Sequence, residues 1–228
     1  MQAVVTPSLL VHLGAWSQVL PVAALAVRRP WPVAHRWVAG ACLLSVVSDI
    51  AALTLSSQGI NNHWLGYVSM PLMTSGFLIG LAQWQLGVVE KLTFRLAVPG
   101  FLIAWVVLVL VSEDVHGFSR YAGPLAALLT LAAGVYTLLR RGFERENPHL
   151  LRADWFWVAG GLALYGAAGA TFPPVASALV AERVDLLVAA INVRATLYIV
   201  AFTAIAWGMI CPLPVTHSGP SSSRRRSG

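Results

Sequence analysis

Charge is scarce in this chain. Asp, Glu, Lys and Arg make up 11% of its 228 residues, whereas about a quarter of a typical soluble domain is charged. That poverty argues against a water-soluble globule, and a hydrophobic content of 57% points to a bilayer. Lysine is nearly missing as well: Lys91 is the only one, in a connecting segment, so a retinal Schiff base inside a bundle is excluded. Of the six histidines only His12 falls even partly within an apolar run. His35, His63, His116, His149 and His217 lie in connections or the tail, which leaves no facing pair for haem.

Two cysteines, Cys42 and Cys211, are too few for a disulfide framework, and both fall near predicted cytoplasmic helix ends. Two free thiols are expected there. There is no cluster of His, Cys, Asp and Glu with metal-ligand spacing, no Gly-x-Ser-x-Gly element, no Walker loop and no pair of intramembrane carboxylates. No metal, cofactor or catalytic residue is therefore assigned. A lipid hydrolase built on Asp49 and Ser45 would lack a second acid.

What the chain does have is long apolar runs. Crossing a hydrocarbon core takes about 20 mostly apolar residues, and seven segments qualify: 8–27, 36–57, 64–87, 95–112, 121–139, 154–173 and 186–210. The expectation is an all-α polytopic seven-helix bundle over residues 1–211, with no separate soluble domain. Residues 212–228, rich in Pro, Ser, Gly and Arg, read as a disordered tail. Proline should mark two sites: Pro71 should kink the third segment and free a carbonyl, and Pro173-Pro174 should end the sixth.

All but three of the 15 Lys and Arg residues fall in the segments 28–36, 88–95, 140–152 and the tail. The alternate loops hold only Arg120 and Arg183, and Arg194 lies inside the seventh segment. Basic residues favour the cytoplasmic side, so the N-terminus is expected outside and the C-terminus in the cytoplasm. No Lys or Arg precedes the first run, which argues against a cleaved signal peptide. Arginine-rich, lysine-poor, alanine-rich usage suggests by association a bacterial protein, hence the inner membrane. The net charge of +6 is spread along the chain, so nucleic acid is not an expected partner, and the Arg224–Arg226 run reads as a topology signal near lipid.

Most tryptophans sit near predicted helix ends, as interface anchors do. Trp37-Val38-Ala39-Gly40 recurs as Trp157-Val158-Ala159-Gly160, each near the start of its helix. If the echo is a repeat, three helices on either side of the fourth form parallel halves, a 3+1+3 plan known among transporters. Four matching residues in so apolar a chain also arise by chance.

Two ionisable residues sit at membrane depth, Asp49 in the second segment and Arg194 in the seventh. Each lies eight residues from the outer end of its segment, about 12 Å, so the two can meet. Charges at that depth usually face a bundle interior, find a partner and mark a site. Tyr198 shares a helical face with Arg194, Asn192 lies on the adjacent strip, and Tyr67 and Thr74 fall on one face of the third helix. His12, Gln18, Tyr165 and Thr171 are further contributors. Asp49, Arg194, Tyr198, Tyr67, Asn192, Thr74 and His12 form the expected pocket.

The simpler alternative is that an Asp49–Arg194 ion pair merely locks two helices together. The outer segment Gln58–Trp64 either rims the pocket or is a polar turn. The favoured expectation is a non-enzymatic membrane protein binding a small or amphipathic ligand, as a sensor or an accessory subunit of a membrane protein partner. The alternatives are a small transporter and a lipid-modifying enzyme.

Overall fold

The computed structural model describes residues 9–27, 29–115, 119–143, 150–179 and 184–211. Among them the chain is helical, without strands: α1 (Leu9–Trp16), α2 (Val19–Val27), α3 (Val33–Ser57), α4 (His63–Ala82), α5 (Val88–Ser112), α6 (Ala122–Phe143), a short 3-10 turn (Leu150–Arg152), α7 (Asp154–Leu179) and α8 (Val184–Ile210). Arg28, His116, Arg145, His149, Glu182, Arg183 and the 212–228 tail lie outside the described residues.

By length and composition α3, α4, α5, α6 and α8 can each cross a membrane. The bent pair α1 and α2 makes a sixth span if counted as one. Lipid-facing residues are apolar, with Leu110 80% exposed and Ile103 67%. The buried core is equally apolar: Val38, Phe77, Leu78, Leu81, Val158, Leu162, Phe202, Ile205 and Met209 are almost wholly enclosed.

With apolar surroundings on both sides, burial of apolar area cannot drive helices together, and close packing must do it. Glycine makes that approach at Gly166 of α7, where a Cβ would lie 2.5 Å from Leu131 N of α6. Gly161 does the same against the Ala201 carbonyl of α8, at 2.6 Å. The most extensive packing accordingly joins α7 to α8 and to α6, with α3 on α4 next. The pair α1 and α2 lies against α8 and α3.

Proline explains where the helices depart from regularity. Pro21 has no N–H to give the Ser17 carbonyl four residues back. Leu20 N–H turns to that carbonyl instead, at 3.0 Å, and the Ser17 hydroxyl donates to the Gly14 carbonyl at 2.6 Å. The first apolar run, expected as one helix, is therefore bent by 40° between Trp16 and Val19.

Pro71 likewise withholds a donor from the Tyr67 carbonyl. That carbonyl receives the Trp105 indole N–H from α5, at 3.2 Å. Trp105 is 4% exposed and stacks near Phe101 and Tyr67.

Three further expectations are corrected. Pro173-Pro174 does not end α7, which runs on to Leu179. Each proline withholds only its own N–H, from the Gly169 and Ala170 carbonyls, and a membrane helix can continue through such a site. The start of α3 at Val33 places His35 inside the helix, not in a connection, because Pro32 sits at its N-cap. The fourth run begins at Val88, ahead of its apolar stretch, and Glu90 in that extension meets Arg140 of α6 at 3.1 Å.

Trp105→Phe is expected to destabilise the protein by about 1–3 kcal/mol, the cost of taking the indole donor from the Tyr67 carbonyl. Adding Pro71→Ala restores an intrahelical N–H and should recover part of the loss. Denaturant titration in mixed micelles reads both, and equal losses in single and double variants would refute the account.

Candidate functional site

Asp49 and Arg194 both lie deep in the bundle, Asp49 about 12 Å before the end of α3 and Arg194 about 15 Å past the start of α8, at 1.5 Å per residue. They make no direct ion pair. Asp49 Oδ2 accepts a hydrogen bond from Gln18 Nε2 at 2.9 Å. Gln18 stands at the break between α1 and α2 and is 6% exposed. Next to it, Gly14 packs onto the Ala195 backbone, where a Cβ would approach to 3.1 Å. The close approach brings the break onto the stretch of α8 that carries Arg194.

Arg194 gives Nε and Nη2 to the Tyr198 hydroxyl, at 3.1 and 2.9 Å. Its guanidinium also lies over the Phe172 ring, 4.5 Å from the centroid. Such an arrangement suits a delocalised cation, which stacks on aromatic faces while keeping its edge for hydrogen bonds. Two of its five N–H donors point at one phenol, and the rest have no partner among the described residues. Tyr165 of α7 stacks on Tyr198 at 5.0 Å, and Asp49, Arg194, Tyr198 and Tyr165 lie within electrostatic range of one another. Acid and base thus share one region, each held by a neutral hydrogen-bonding group.

Of the expected pocket, the structure brings together Asp49, Arg194 and Tyr198, with Gln18, Tyr165 and Phe172 around them. Tyr67 is elsewhere: its hydroxyl meets Glu113 Oε2 at 3.2 Å and the Asp114 carbonyl at 3.1 Å, beyond the end of α5. Thr74 is buried in α4. His12 is exposed on α1, and Asn192 is half-buried on α8, its carbonyl accepting from the Thr196 hydroxyl. Phe172 gave no polar signal in the sequence, although it lies beside Thr171 on a helix already under suspicion.

Around Tyr67 the organising group is Glu113. Its carboxylate accepts from the backbone N–H groups of Arg120, Tyr121 and Ala122, at 2.9, 2.8 and 2.7 Å, and from the Ser119 hydroxyl at 2.9 Å. The acid following α5 thereby satisfies the open donors at the start of α6. Partial burial acts to raise its pKa, but the bonds from Ala122, Arg120, Tyr121 and Ser119 outweigh it and hold the carboxyl below the ordinary value of 4.5.

A second polar cluster went unread in the sequence. His35 of α3, fully buried, meets Asp154 Oδ2 at the start of α7 through Nε2, at 3.1 Å. Trp84 stacks near the imidazole at 5.6 Å. Buried Gln85 donates to the Thr137 hydroxyl of α6 at 2.9 Å. Together the two contacts tie α3 to α7 and the end of α4 to α6, all at the end of the bundle that carries Arg36, Lys91, Arg140 and Arg152. The signal was there: His35 and Asp154 each fall two or three residues before a Trp-Val-Ala-Gly copy.

No family model matches the chain, and neither the curated proteins nor the solved structures contain a significant match. No group of three or more His, Cys, Asp or Glu able to hold a metal occurs among the described residues.

Removing one partner of the buried His35–Asp154 contact is expected to cost about 3 kcal/mol in Asp154→Leu, and clearly less in Asp154→Asn, which keeps an acceptor oxygen. Unfolding in mixed micelles measures the difference. For Glu113, whose folded pKa is depressed, the stabilising contribution is complete above the ordinary carboxylate range and is lost as pH falls through the lowered value. Melting temperatures followed from about pH 7 to about pH 3 should therefore drop more steeply for the natural protein than for Glu113→Gln.

Proposed function

We propose that this chain is a seven-span membrane protein, N-terminus outside and C-terminus in the cytoplasm, that binds a small or amphipathic ligand in its outer half. It belongs by this reading to a bacterial inner membrane, where it acts as a sensor or as an accessory subunit of a membrane protein partner. The ligand class is an acid, a carboxylate or phosphate. One observation carries the proposal: Arg194 is held at membrane depth by the hydroxyl and ring of Tyr198 and the ring of Phe172, without the direct carboxylate contact that would occupy its donor edge. A guanidinium offers carboxylates and phosphates a two-pronged donor edge. Asp49, hydrogen bonded to Gln18, keeps its own charge near without capping the arginine. In this orientation the His35–Asp154 cluster lies near the cytoplasmic side and closes the bundle there.

A break in the first span favours a second reading, a small transporter. Discontinuous helices line the substrate sites of many transporters, and close alternately around them. The Trp-Val-Ala-Gly echo suits the same reading, as the mark of two related halves.

The natural protein, purified in nanodiscs, should be stabilised against heat by some members of a panel of small carboxylates and phosphates and by none of their neutral analogues. Arg194→Gln should weaken that binding at least tenfold, and Tyr198→Phe, which removes only the hydroxyl, severalfold. No acid binding, or binding indifferent to both changes, defeats the proposal. Counterflow of the bound acid in proteoliposomes separates transporter from sensor.

A further inference from the structure

At the break in the first span, the oxygen atoms have an imbalance that the ligand reading does not use. Gln18 spends its Nε2 on Asp49, while its Oε1 is buried without a hydrogen-bond partner. An amide oxygen in that condition is an acceptor with nothing to accept. Beside it is a carboxylate whose only hydrogen bond among the described residues comes from the same amide. The Trp16 carbonyl adds a third oxygen, since Leu20 N–H, its donor in a continuous helix, is diverted to Ser17. Trp16 and Gln18 lie where α1 ends, with Asp49 of α3 bonded to Gln18 there, and the carbonyl end of a helix carries partial negative charge.

We infer that Gln18 and Asp49, with the open backbone at the break, bind a small monovalent cation, sodium in particular. The donor set is oxygen only, which suits a hard cation and not a thiolate- or imidazole-seeking metal. One carboxylate balances one positive charge. Calcium generally gathers six to eight oxygens, several of them carboxylate, and magnesium needs a near-ideal octahedron. Neither demand is met by a single acid with Arg194 in its field. An unwound stretch supplying main-chain oxygen beside an acidic side chain is also a general way in which membrane proteins hold sodium.

The site stands on Gln18 and Asp49 alone. Its coupling to an acidic ligand rests in addition on the Arg194 reading: cation and anion bound together add no net charge to the region, so each should tighten the other, and reciprocally.

The test uses the natural protein in nanodiscs, in choline chloride exchanged stepwise for sodium chloride at constant ionic strength. Sodium should raise the melting temperature progressively with the logarithm of its concentration, as a specific ligand does, and potassium should do so less. Gln18→Leu and Asp49→Asn should each weaken the sodium response at least tenfold. Arg194→Gln should strengthen it severalfold, because a repelling cation has gone. That opposite sign distinguishes the cation site from the acid-binding site, whose failure leaves the sodium response standing. A natural protein indifferent to sodium overturns the inference without any variant. So does a sodium response unchanged in Gln18→Leu, or stabilisation by acid alone, which would make Asp49 a proton site.

Discussion

Hydrocarbon offers no hydrogen bonds, and that single constraint organises the structure. A backbone carbonyl that loses its helical donor inside a bilayer must find another within the protein. Two of the chain's prolines show two solutions. At Pro71 the donor comes from another helix, through the Trp105 indole. At Pro21 the ladder shifts by one residue and the helix breaks, leaving polar backbone beside Gln18. The second solution leaves its open backbone beside the Gln18–Asp49 hydrogen bond.

The same constraint explains why the charges are arranged as they are. Two opposite charges in a low-dielectric interior attract strongly, yet Asp49 and Arg194 do not touch. Each is instead anchored by a group whose position is fixed by packing: Gln18 by the close approach of Gly14 to Ala195, Tyr198 by its stack on Tyr165. A direct pair would have been a structural clasp with its hydrogen-bonding capacity spent. Holding the two charges apart leaves an acceptor edge and a donor edge, the elements from which a binding site is made.

Helix existence was legible in the sequence because apolar run length is a direct response to bilayer thickness. Every expected run has a helical counterpart, the first as two pieces. Boundaries were less legible, for a physical reason: a helix does not stop where the hydrocarbon stops. The start of α5 carries Glu90 and Lys91, so hydropathy placed it in a loop, and the early start of α3 hid His35. The break after Trp16 could have been read from Pro21, which was passed over because it sits in an otherwise apolar run. Asp49, Arg194 and Tyr198 were recognisable because charge at depth is rare. Tyr67 was assigned by helical periodicity alone, which fixes a face and not the neighbour that face will meet.

The two polar clusters differ in a way that bears on what each can do. His35–Asp154 is buried beside Trp84 at the starts of α3 and α7, and its two partners bond each other directly. Such a contact fixes the relative position of two helices; moving one against the other would strand a buried acceptor. Gln18–Asp49 joins the break to α3 and Arg194–Tyr198 lies within α8, and both leave hydrogen-bonding capacity unspent, at Gln18 Oε1 and on the guanidinium. A bundle pinned at one end and polar but unclasped toward the other has its freedom to respond where the charges are separated. That asymmetry is the physical basis for placing ligand, and any conformational change it drives, on the Asp49 and Arg194 side.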